Sequence, residues 1–106
     1  MTNLFEQHAK LKSQYADVLL LMRVGDFYEA FDEDADVLAR VCRLAKTTRG
    51  EHRMAGFPHM QRDRFLTALV GAGFRVATAE PAGDMPLPGK PEIITLRPSA
   101  EKEGHA

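Results

Sequence analysis

The chain has no tryptophan and a single cysteine, Cys42. One thiol cannot close an intramolecular disulfide, so stability must come from a packed core. A lone cysteine inside a helical pattern reads as a small core residue kept reduced. Long apolar runs are missing too. The longest, Val18 to Met22, is far short of the roughly 20 residues that span a bilayer. The opening MTNLFEQHAKLK is polar and amphipathic and does not resemble a secretion signal. These absences predict a cytoplasmic protein without a membrane partner. Excess charge of either sign is absent as well. A net charge of -1 excludes a protein that grips nucleic acid by charge alone.

Chemistry-bearing patterns are equally sparse. There is no glycine-rich phosphate loop. Gly89-Lys90 runs into Pro91 and lacks the upstream glycine and following hydroxyl of a nucleotide-binding lysine. His52 and His59 are seven apart, with no cysteine or carboxylate pattern to complete a zinc site. Glu80 and Asp84 straddle a turn, where two carboxylates are usually just solvated. The expectation is therefore a non-enzyme that binds neither cofactor nor nucleotide.

What is present fits one soluble domain. The 106 residues are 44% apolar and 27% charged, enough for one core and too few for two. Residues 1–98 are expected to fold and 99–106 to form a disordered tail. Leu4, His8, Leu11 and Tyr15 line one face of a first helix that Asn3 could cap. Val18–Val24 reads as a buried strand and Phe27–Phe31 as a second. Asp32–Asp34 open a second helix, with Val37, Leu38, Val41 and Cys42 inward. Residues 46–50 read as a short strand and turn, and 53–58 as another extended piece. A third helix over about 61–70 buries Phe65, Leu66, Leu69 and Val70, and Gly71-Ala72-Gly73 stops it. Residues 74–80 alternate like a strand, 81–84 turn, 85–91 loop, and 92–97 form a last strand. This order predicts an α/β domain: a mixed sheet flanked by about three helices.

Charge is unevenly placed along this plan. Residues 26–36 hold six acids and no base, whereas 40–53 hold five bases and one acid. Such runs usually mark two solvated faces. The functional alternative is a phosphate-facing patch beside an acidic one.

The run Gly25-Asp26-Phe27-Tyr28-Glu29-Ala30-Phe31 is the most informative. The two-residue period of a strand puts Phe27, Glu29 and Phe31 on one face and Tyr28 and Ala30 on the other. A core face should not hold an unpaired carboxylate, and a solvent face seldom holds two phenylalanines. Either only Phe31 is buried, or Phe27 and Glu29 are exposed together. An exposed Phe-x-Glu pair has a use on DNA. An apolar wedge can enter the minor groove, unstack a base step and kink the duplex. That costs less where the base is mispaired. A neighbouring carboxyl can contact the freed base edge, and when ionised it repels the phosphates of well-paired duplex.

The run LLLMRVGDFYEAFDEDA resembles the amino-terminal domain of the MutS family, in which a strand ends in Arg-x-Gly-Asp-Phe-Tyr-Glu-x-Phe before an acidic helix start. The resemblance continues in register through Lys46-Thr47-Thr48-Arg49-Gly50, Met54-Ala55-Gly56-Phe57-Pro58-His59, Leu69-Val70-Gly71-Ala72-Gly73 and Val76-Ala77 with Glu80. It departs where Lys46 replaces an apolar residue, His59 comes one position early and Pro81 follows Glu80. The resemblance implies the mixed α/β mismatch-binding fold, with Phe27 as wedge, Glu29 contacting the base and Tyr28 structural. Arg49 and Arg53 are candidate backbone contacts on charge and proximity alone. The implied partner is double-stranded DNA carrying a mismatch or distortion. The family's connector, lever, clamp and ATPase lie outside this sequence, and the native-looking start with an unfamiliar tail favours a naturally short protein. Weak, salt-sensitive DNA binding is expected, helped by a repair protein. The alternatives are a protein-interaction accessory or decoy of a repair complex and, more remotely, a nuclease using Glu80 and Asp84 with a metal.

Overall fold

The computed structural model describes residues 4–80 and the backbone of 92–96. The Asn3 cap, the 81–84 turn, the 85–91 loop and the 99–106 tail lie outside the described residues. Among the described residues three helices, α1 (Leu4–Gln14), α2 (Glu33–Cys42) and α3 (Arg62–Gly71), accompany six strands. The strands are β1 (Leu19–Val24), β2 (Phe27–Phe31), β3 (Thr47–Arg49), β4 (His52–Pro58), β5 (Val76–Glu80) and β6 (Glu92–Leu96). They form one sheet in the order β3-β4-β2-β1-β5-β6. Only β1 and β5 run parallel; the other neighbours are antiparallel. The expected α/β domain with a mixed sheet is what the chain forms.

The continuous apolar run of β1 follows from burial on both faces. Leu19 and Leu21 join Tyr28, Ala30, Phe57 and the inward residues of α2 and α3 in one core. Leu20 and Met22 join Leu11 of α1, Phe31 and Ala77 in the other. An alternating strand would leave one face wet; a strand between two helical layers needs apolar residues at every position.

Helix α2 is anchored by a buried acid. Asp34, expected only to complement the helix's positive end, accepts a 3.1 Å hydrogen bond from the Leu20 amide. It also pairs with Lys12 of α1 at 2.8 Å. One carboxylate thus ties α2 to β1 and α1, and its charge is matched where it is desolvated. The stripe on α2 is close to expectation. Leu38 is fully buried, and Val37, Val41 and Cys42 pack at the rim of the core. Burial pushes the Cys42 thiol up, away from the thiolate that would make it reactive.

One pinned turn shapes the end of the sheet that carries Phe27. Gly25, at φ +58°, starts the two-residue turn between β1 and β2, a conformation that glycine adopts without a Cβ penalty. The amide of His59 then donates to the Asp26 carbonyl at 2.7 Å, pinning this turn to the end of β4.

Candidate functional site

Phe27, Glu29 and Phe31 do share a face of β2, but their surroundings differ. Phe31 is 1% exposed. It lies edge-on to Phe5 and to His8, each with centroids 5.2 Å away. At the other end of the strand Phe27 is 45% exposed. Among the described residues the exposed large apolar side chains are Phe27 and Met60. Both belong to one end of the sheet, because Phe27 pairs with Pro58 and Met60 follows two residues later.

Glu29 corrects the sequence-based choice. It is neither solvated nor exposed with Phe27: its residue exposure is 4%. The burial is tolerated because Arg49 supplies a two-pronged partner, with Nε 2.7 Å from Oε1 and Nη2 2.8 Å from Oε2. Bidentate Arg–carboxylate pairs are among the stronger hydrogen-bonded contacts in proteins. Their mutual support raises the Arg49 pKa, chiefly through the Glu29 hydrogen bonds. Gly56 makes the room. It sits opposite Glu29 on β4, where a Cβ would come within 2.7 Å of the Tyr28 carbonyl and 3.3 Å of Glu29 Cγ. No feature of the chain between positions 29 and 49 announces this pair. The signal that could have found it was a glycine on the strand that pairs with the carboxylate's own.

Arg53 is engaged as well. Its guanidinium donates to both oxygens of Asp36, at 3.0 and 2.9 Å, and Lys46 reaches the same carboxylate at 3.2 Å. Hydrogen bonds from Arg53 and then Lys46 hold Asp36 below its ordinary pKa. Asp32 is lowered likewise by its 2.8 Å contact with His52. The acidic and basic runs therefore do not form two faces. The β3–β4 hairpin folds back over the start of α2, and the charges interdigitate.

The opposite face of β2 braces the turn. The Tyr28 hydroxyl donates to Glu80 Oε2 at 2.5 Å across β1. Burial first, then this hydrogen bond, pushes the phenol up to about 12. Arg23 lies 5.8 Å over the Tyr28 ring and donates to the Gly25 carbonyl at 2.7 Å. Tyr28 is thus structural, as the resemblance implies. Glu80, a candidate metal ligand in the nuclease alternative, is occupied by a phenol, and Asp84 lies outside the described residues. Among the described residues no cluster of three or more histidines, cysteines or carboxylates could hold a metal. No helix among them is long and apolar enough to cross a membrane.

A six-stranded mixed sheet with helices on both faces, and a hairpin that leaves one phenylalanine partly exposed at its turn, defines a small α/β domain. The family model described as MutS domain I matches residues 2–89, and the chain belongs to that family. Among its curated relatives, the DNA mismatch repair protein MutS of Thermotoga neapolitana is 46% identical over 97 residues, and that of Thermotoga maritima 44%. The Oleidesulfovibrio alaskensis MutS protein is 40% identical over 89 residues, 79% of this chain and 10% of its own length. Each Thermotoga match covers 92% of this chain, which spans about 12% of the relative's length.

Proposed function

We propose that this chain is a DNA-binding module for mismatched or distorted duplex, with Phe27 as the inserted wedge and Glu29 as the residue that meets the unstacked base. The carrying observation is the exposure of Phe27 at the pinned end of a β-hairpin whose other phenylalanine is core. A solvated aromatic held by a rigid turn is poised to stack with little loss of conformational freedom. Wedge insertion favours steps that unstack cheaply, so selectivity would follow deformability more than base identity. Relatives named as mismatch repair proteins support the same substrate class.

Charge and proximity in the sequence name Arg53 and Arg49 as the candidates for backbone contact, and of the two only Arg53 is retained for that role. Each guanidinium already serves a carboxylate, so a phosphate must compete for it. Arg53 is the freer of the two, since its partner Asp36 is itself solvent-facing. With a net charge of -1, affinity is expected to be low and to fall steeply with salt. In this reading the module performs neither ATP hydrolysis nor catalysis. The neutralised cations favour one second reading, an accessory or decoy of a repair complex in which the Phe27 surface meets protein.

A gel-shift titration tests the proposal with perfect duplex, a G·T mismatch and a one-base bulge at low and moderate salt. Phe27→Ala should lower affinity for the G·T and bulged duplexes by about 5- to 150-fold, the worth of one aromatic–base stack. Equal binding of all three duplexes by the unsubstituted chain refutes it. A protein partner lost on Phe27→Ala, with no DNA bound, favours the accessory reading.

A further inference from the structure

We infer that Arg49 is a positioning residue that acts on DNA through Glu29 and not by holding a phosphate. The inference rests on the site reading above. Arg49 and Glu29 come from different strands. By register Arg49 lies opposite His52 and Glu29 opposite Gly56. His52 and Gly56 are four residues apart along β4, roughly 13 Å at strand spacing. Two long side chains must therefore extend toward each other over the position of Met54, and Gly56 leaves room for the Glu29 stem. Such an arrangement fixes the Glu29 carboxylate in plane and direction, because both its oxygens take one prong of a rigid fork.

The asymmetry of exposure says which partner serves which. The Glu29 side chain is 5% exposed and that of Arg49 is 43% exposed. Arg49 is the cover and Glu29 the covered group. Each carboxylate oxygen has a second acceptor site that the fork leaves unused. A base edge brought in beside Phe27 and past the edge of this cover would find an acceptor already oriented, with its charge balanced by Arg49. Arg53, by contrast, pairs with the exposed Asp36 carboxylate of α2 and not with a residue of β2, and carries no such constraint.

A double-mutant cycle on the 106-residue chain tests this, with G·T, one-base-bulge and perfect duplexes as probes. Glu29→Ala, Arg49→Ala, the double variant and Arg49→Lys are compared over a salt series. Arg49→Ala should reduce the ratio of G·T to perfect-duplex affinity by the same factor as Glu29→Ala, within about twofold, and the double variant should lose no more. The slope of log affinity against log salt should stay unchanged. Arg49→Lys should also lose discrimination, because an ammonium keeps the charge and not the fork; this variant carries the test if Arg49→Ala does not fold. The inference is overturned if Arg49→Ala weakens all three duplexes alike and lowers the salt slope by about one, if its effect adds to that of Glu29→Ala, or if Arg49→Lys keeps full discrimination. An unsubstituted chain that binds all three duplexes alike removes the site reading and this inference together. The other outcomes overturn the inference alone.

Discussion

Phe27 and Phe31 occupy the two ends of one strand face and meet opposite fates. Phe31 lies under α1, edge-on to Phe5 and His8, and is shut off from solvent. Phe27, four residues earlier on the same face, stands 45% exposed beside a turn pinned by His59. Residue type and strand period are the same at both positions; the difference is what packs on top. The sheet's other face teaches the same lesson from the covered side. Tyr28 is enclosed by the core of α2 and α3 and still satisfies its hydroxyl, through Glu80. One hairpin thus exposes a phenylalanine on one face while it is anchored on the other.

The largest expected effect breaks the comparison outright. Phe31→Ala should cost about 3–5 kcal/mol by emptying a packed site. Phe27→Ala should stay within about 1 kcal/mol, since 45% of its surface already faces solvent. Urea unfolding of both variants reads the difference, and equal losses would mean that Phe27 belongs to the core after all.

Next comes the buried ion pair between the two phenylalanines. Arg49→Ala leaves Glu29 buried without a partner. We expect a loss of about 1–3 kcal/mol, less than for a fully buried pair because Arg49 stands half in solvent. Glu29→Ala removes the buried charge itself and should cost less. The reverse order, measured by the same unfolding curves, would contradict the burial of Glu29.

A smaller effect sharpens the anchored face. The Tyr28 phenol is raised in the folded state to about 12 from 10. A raised pKa contributes stability that is complete below pH 10 and is lost as pH rises through about 12. Tyr28→Phe should cost about 0.5–1.5 kcal/mol at neutral pH and should flatten that alkaline decline. Melting temperatures of both proteins between pH 9 and 12 would show it; parallel curves would remove Tyr28 from the brace.

The smallest effect concerns the lid over Phe31. Burial lowers the His8 pKa against the opposing pull of Asp34. A lowered histidine contributes stability that is present above about pH 6.5 and is lost as pH falls through its folded value. His8→Leu should therefore show a shallower loss of stability than the unsubstituted chain as pH falls from 7 to 5. Identical slopes would mean that His8 opens to solvent before it charges.

Much of this protein was legible in its residues. Apolar periodicity, the turn glycines and the Arg-x-Gly-Asp-Phe-Tyr-Glu run were enough for three helices, the mixed sheet and the family. Strand geometry alone put Phe27, Glu29 and Phe31 on one face, because the alternation of side chains is a local property of the backbone. What covers each of them is not local. The exposure of Phe27, the burial of Glu29 and the engagement of Arg49 and Arg53 depend on a helix and a hairpin distant along the chain. Glu29 meets Arg49 across 20 residues, and Tyr28 meets Glu80 across 52. Charge runs read as separate faces became mutual partners for the same reason: opposite charges close in space stabilise each other however far apart they stand in sequence. The residues determined which face carries Phe27, Glu29 and Phe31, and only the tertiary packing decided which of them stands exposed.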